Sequence, residues 1–158
     1  MADYKKKKST GARKAANISS ILIVVLLSAD FIFESLRVVV SNRSMEVDGF
    51  GKFLAYNLTL VASNGHLEVG NFYAGSLTLT TSNGRLSASD IGLLGNLTMR
   101  TSNGGVRVDN AIVGGETIAR TSNGSITFAN VEMDEDNANF STSNGSVTIN
   151  GRRWQQRR

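Results

Sequence analysis

One tetrapeptide recurs through the second half of the chain and constrains the fold more than any other feature. It reads Ala62-Ser63-Asn64-Gly65, Thr81-Ser82-Asn83-Gly84, Thr101-Ser102-Asn103-Gly104, Thr121-Ser122-Asn123-Gly124 and Thr142-Ser143-Asn144-Gly145. The glycines stand 19, 20, 20 and 21 residues apart. A fixed period in this range marks a solenoid, in which each repeat packs only on its neighbours.

Stacking the copies on their glycines turns the sequence into columns. Two residues after the glycine come Leu67, Leu86, Val106, Ile126 and Val147; four after come Val69, Ala88, Val108, Phe128 and Ile149. The residues between them, Glu68, Ser87, Arg107, Thr127 and Thr148, are polar. This alternation predicts a strand with one buried face. Five residues before the glycine stand Leu60, Leu79, Met99, Ala119 and Phe140, so a second strand precedes each turn.

Both residues of the Asn-Gly step tolerate φ > 0, which predicts a corner made by left-handed backbone. The Asn column (Asn64, Asn83, Asn103, Asn123, Asn144), standing beside Gly65, Gly84, Gly104, Gly124 and Gly145, is expected to form an amide ladder along the stack. A second corner is expected at Asn71, Asp90, Asn110 and Asn130, each followed by an apolar residue (Phe72, Ile91, Ala111, Val131). A Gly-rich third side (Gly75, Gly92, Gly95, Gly114, Gly115) completes about three faces per coil.

A degenerate first coil precedes these copies. Arg43 takes the glycine place, Met45 and Val47 the inward places, Gly49 the second corner and Phe50 the apolar place after it. The fold class is therefore all-β: a single-stranded β-solenoid of about five to six coils over residues 37–151, preceded by one N-terminal apolar helix. Residues 152–158 abandon the pattern, and Trp154 is expected to cover the last apolar layer.

Composition bounds the chemistry. The chain has no Cys, which removes disulfides, thiolate metal sites and Cys nucleophiles together. It has no Pro, which fits continuously paired strands. The net charge of +4 lives in the two tails: residues 1–17 carry six Lys/Arg against one Asp, and residues 152–158 carry four Arg. The repeat body is net acidic, so its composition does not call for a specific nucleic-acid partner.

Residues 1–17, with Lys5-Lys6-Lys7-Lys8, read as an unstructured basic tail. Residues 18–36 read as an apolar, then amphipathic, helix: Ile21 to Leu27 is wholly apolar, and Asp30, Glu34 and Arg37 fall on one helical face. A basic flank before an apolar run suggests a membrane anchor, a cleaved signal or a helix capping the solenoid. The anchor reading puts residues 18–36 and Lys5–Lys8 against the membrane, with the repeats outside.

The T-S-N-G repeats and their alternating small and aliphatic flanks resemble an adhesin-like family of unknown function, over roughly Val38 to Gly151. The departures are Ala62 in the first Thr place, Arg43 in a glycine place and the irregular third side from Glu132 to Asn137. The resemblance implies a right-handed β-solenoid, often attached to a membrane segment, and no known reaction.

No residues assemble into a catalytic, cofactor or metal motif. His66 is the lone histidine, on an outward position. The recurring serines have no histidine partner and read as part of the stacking. Glu132, Asp134, Glu135 and Asp136 sit in the longest repeat, in a spacing unlike known Ca²⁺ loops. Arg100 and Arg120 share one outward column, with Arg85 and Arg107 on the other strand; acidic neighbours such as Glu68, Asp109 and Glu116 suggest a mixed, solvated face. Asn17, Asn42, Asn57, Asn96, Asn123, Asn139 and Asn144 open glycosylation sequons.

The expected function is a non-enzymatic, membrane-tethered scaffold acting in adhesion or surface binding, with a surface polysaccharide or a protein as partner. The alternatives are a bactofilin-like filament that self-associates end to end from the cytoplasmic side of a membrane, and a carbohydrate-active β-helix enzyme.

Overall fold

The computed structural model describes residues 21–23 and 33–153. The strands are β1 (Ile21–Ile23), β2 (Phe33–Val40), β3 (Met45–Asn64), β4 (Leu67–Asn83), β5 (Leu86–Leu93), β6 (Leu97–Asn103), β7 (Val106–Val113), β8 (Thr117–Asn123), β9 (Ile126–Met133), β10 (Ala138–Asn144) and β11 (Val147–Arg153). Among the described residues every pairing is parallel; each inner strand lies between the strands one coil before and one coil after it, and β1, β2, β10 and β11 each pair on one side. The result is a β-solenoid of about six turns.

The inward columns form one continuous core. Met45, Leu67, Leu86, Val106 and Ile126 stack in one column, and Leu58, Leu77, Leu97 and Thr117 in another, all at 1% exposure or less. Inward side-chain size varies from coil to coil: Ala88 and Met99 share one coil, whereas in another Phe128 meets Phe140 edge to face at 4.8 Å.

Coils of unequal length are reconciled at the corners, so the ladders stay in register. In β3 the extra residues are taken up between Asp48 and Lys52 and between Phe53 and Ala55. In the longest T-S-N-G repeat a single turn of 3-10 helix, Glu135–Asn137, absorbs the addition, capped by Asp134 Oδ1 accepting the Asp136 N–H at 3.1 Å. This turn lies in the irregular third side, Glu132 to Asn137.

Three expectations are corrected. Of the residues assigned to an N-terminal helix (18–36), 18–20 and 24–32 lie outside the described residues, whereas Ile21–Ile23 and Phe33–Leu36 are strand, paired on β3. A short apolar run fits a buried strand as well as a helix, and here the stack supplies the edge that selects the strand. In the first coil Lys52, not Phe50, pairs with Phe72, and the left-handed residue is Gly51 (φ 71°) rather than Gly49. The T-S-N-G glycines have no positive φ; they are needed for another reason, given below. The tail 1–17 and Trp154 lie outside the described residues.

Candidate functional site

Each T-S-N-G corner is held by three kinds of contact between coils. The Asn side chains run as a ladder: Asn64 Nδ2 donates to Asn42 Oδ1 (2.5 Å), Asn83 to Asn64 (2.5 Å), Asn103 to Asn83 (2.7 Å), Asn123 to Asn103 (2.7 Å) and Asn144 to Asn123 (2.8 Å). The Gly84 and Gly104 N–H groups donate to the Asn103 and Asn123 carbonyls of the next coil, both at 3.1 Å. The Thr hydroxyls close the corner from inside: Thr81, Thr101, Thr121 and Thr142 Oγ1 donate to the carbonyls of Gly65, Gly84, Gly104 and Gly124 at 2.8–3.1 Å.

That carbonyl explains the glycine. A Cβ on Gly84, Gly104, Gly124 or Gly145 would run into the carbonyl oxygen of the glycine one coil below, closer than any real Cβ approaches backbone. The corner therefore needs glycine for close stacking, not for left-handed backbone. Left-handed backbone does occur at the second corner, in Asn71 (φ 55°), Asp90 (52°), Asn110 (52°) and Asn130 (53°), and at the T-S-N-G corner only in the degenerate first coil, at Asn42 (57°). Short polar side chains tolerate this region best, because they bond locally.

The sequence reading missed two rows. One is the Thr row, although a polar residue recurring inside a buried strand was its signal; Thr81 is 3% exposed and Thr101 is 7%. The other is a partial second ladder, in which Asn110 Nδ2 donates to Asp90 Oδ1 (3.1 Å), Asn130 to Asn110 (3.2 Å) and Asn71 to Asp48 (3.2 Å). The corner serines Ser63, Ser82, Ser102, Ser122 and Ser143 do not join the stacking as expected. They are exposed, and among the described residues their hydroxyls have no hydrogen-bond partner.

The titratable residues do not converge. His66 is exposed, and its Nδ1 accepts the Arg85 N–H at 2.8 Å, an acceptor role also taken by Ser44 Oγ, which receives the His66 N–H. Asp134 is occupied in capping, its Oδ2 accepting from Asn137 Nδ2 at 2.8 Å. Among the described residues no three His, Cys, Asp or Glu side chains gather as metal ligands. Arg107 is paired in bidentate fashion with Asp109, at 2.5 and 2.9 Å. Asn42, Asn123 and Asn144, three of the sequon asparagines, already use Nδ2 or Oδ1 in the ladder.

The surface has two further features. An open groove of about 690 Å³ follows the second corner past Asn110, Ile112, Asn130, Glu132 and Asn150. In the same outward column Tyr73, 56% exposed, lies over Gly92, where a Cβ would meet its ring. Among the described residues, no helix is long and apolar enough to cross a membrane.

No curated protein and no solved structure matches the chain. A family match does exist, across residues 4–156: it is Toastrack DUF4097, so the chain belongs to that repeat β-solenoid family of unknown function, and the adhesin part of the resemblance rests on the repeats alone.

Proposed function

We propose that this protein is a non-enzymatic scaffold whose flat outward faces bind a surface, tethered to a membrane through its N-terminal segment. The observation that carries the reading is the regular stack: in-register parallel coils set identical side-chain positions about 4.8 Å apart on flat faces, and rows such as Ser82, Ser102 and Ser122 are left exposed and without side-chain partners. Such rows offer many weak, repeated contacts to an extended partner. The tether is argued from Lys5–Lys8 followed by the apolar run Ile21–Leu27. Pairing of Ile21–Ile23 with Met45–Val47 competes with their burial in lipid, so these residues take one partner or the other.

The test leaves the ladder intact. Replacing Lys5, Lys6, Lys7 and Lys8 by Gln in the full chain is expected to move the protein from the membrane to the soluble fraction. Protease added to intact cells is expected to cut the wild-type repeats. Unchanged fractionation would remove the tether, and full protection of the repeats would place them inside.

One observation favours self-assembly as a second reading. In the last described coil Val147 and Ile149 occupy inward columns yet are 41% and 40% exposed, and among the described residues β11 is paired only with β9. A strand edge with no partner among the described residues, beside a partly exposed apolar layer, is a surface on which another coil can stack. Sedimentation of the full chain across a concentration series distinguishes this filament reading, which predicts growing size, from a monomeric scaffold.

A further inference from the structure

Among the described residues two outward columns place like charges on each other in adjacent coils: an acidic one, Glu46 on Glu68, and a basic one. Register pairs Arg100 directly with Arg120 in the next coil. Met99 and Ala119 beside them are buried, so both guanidinium groups point outward, and both residues are exposed. The column continues through Thr80 on one side and Ser141 on the other.

The acids that made this face look mixed are elsewhere. Asp109 is held by Arg107. Glu68 follows the T-S-N-G corner on β4, stacked with Ser87 on a different face. Glu116 lies outside β8, four residues before Arg120 in an extended segment, beyond side-chain contact. Among the described residues neither Arg100 nor Arg120 has an ion-pair partner. Stacked like charges destabilise paired strands, and a bound anion converts that repulsion into attraction, because two adjacent guanidinium forks can share one oxyanion.

We propose that Arg100 and Arg120 form a binding site for the carboxylate or sulfate groups of an acidic polysaccharide. The inference rests on the surface-binding reading and names its ligand. The neighbouring outward side chains favour a hydrated glycan over a lipid surface: Thr78, Thr80, Thr98, Ser102, Ser122 and Ser141 present hydroxyls that match sugar hydroxyls. Ile118 is the apolar outward residue beside Arg120, Val61 and Val39 follow only beyond Thr80, and among the described residues no further cation adjoins the pair in its column. A membrane-binding face would instead need a broad basic patch with apolar residues to insert.

The experiment measures binding of the full chain to heparin and to polygalacturonate, with dextran as neutral control and phosphatidylglycerol vesicles as the lipid arm. The wild type is expected to bind at least one acidic glycan, more weakly as salt rises, and to leave dextran unbound. The double variant Arg100→Thr, Arg120→Thr, which restores the residue at Thr80, is expected to lose about tenfold or more in affinity with an unchanged or raised urea midpoint. Arg157→Gln with Arg158→Gln removes the same two charges from the tail and is expected to change affinity less than about threefold.

Equal loss in both double variants, retained binding in the first, or dependence on Arg100 and Arg120 only with vesicles would overturn the proposal. Failure of wild type to bind either glycan would overturn it too. None of these outcomes affects the fractionation and protease tests, so the surface-binding reading is judged separately.

Discussion

At the scale of single residues the corner glycines and one buried hydroxyl make the sharpest expectations. Gly104 has ordinary backbone angles, so alanine there meets no φ strain; what it meets is the Gly84 carbonyl, fixed backbone that already accepts from Thr101. The coils must separate or the corner must shift, at a cost of roughly 3 kcal/mol. At Gly105 the nearest atom to an added Cβ is the Ser125 carbonyl oxygen at 3.3 Å, a tight but tolerable approach. Gly105→Ala is therefore expected within about 1 kcal/mol of wild type, partly offset by the lower entropy of its unfolded chain. Urea midpoints of the two variants test the stacking directly. Thr117 is the opposite case: its Oγ1 is buried without a hydrogen-bond partner, in a column otherwise filled by Leu58, Leu77 and Leu97. Thr117→Val keeps the shape and removes the orphan hydroxyl, so the same measurement is expected to show a gain of about 1 kcal/mol.

At the scale of the coil, what the sequence made legible was the direction of side chains, and what it hid was the backbone reason for them. Alternation of Leu86-Ser87-Ala88 or Val106-Arg107-Val108 states which residues face inward whatever the fold around them, and the structure buries those residues. A glycine is ambiguous: left-handed backbone and close approach both select it, and one sequence does not separate them. The distinction came from neighbouring coils, where Gly84 and Gly104 meet carbonyls, while Asn71 and Asp90 take up the left-handed turn. Ile21–Ile23 was ambiguous in the same way, because only the edge of β3 chooses strand over helix. The polar Thr row was visible in the repeat but needed its partner, the glycine carbonyl, to be understood. Thr101→Val is expected to cost about 1 kcal/mol by leaving the Gly84 carbonyl without its hydroxyl donor. Thr101→Ser keeps the donor and is expected to lose less; the order of the two thermal midpoints checks the bond rather than the packing.

At the scale of the whole molecule the solenoid has a protected middle and an open C-terminal end, and identical columns carry different energy in the two places. Val106 and Val108 are covered by coils on both sides, at 1% and 0% exposure, while Val147 and Ile149 in the same columns are 41% and 40% exposed. Burial of a Val or Ile side chain is worth about 1.5–3 kcal/mol when complete, and correspondingly less when nearly half the residue stays in water. Changing Val106 and Val108 together to Thr also buries two hydroxyls with no designed acceptor, so the loss is expected to exceed 4 kcal/mol, roughly the scale of two unsatisfied groups plus lost transfer energy. The equivalent pair Val147→Thr, Ile149→Thr should cost only about 1–2 kcal/mol, since water reaches the new hydroxyls. Because each coil rests only on its neighbours, disruption at the end strips one coil, whereas disruption in the middle separates two halves. Amide hydrogen exchange reads this difference: the end variant is expected to lose protection in β10 and β11 alone, and the central variant throughout β5 to β9. Uniform loss in both would mean that the coils unfold as one unit rather than as a stack.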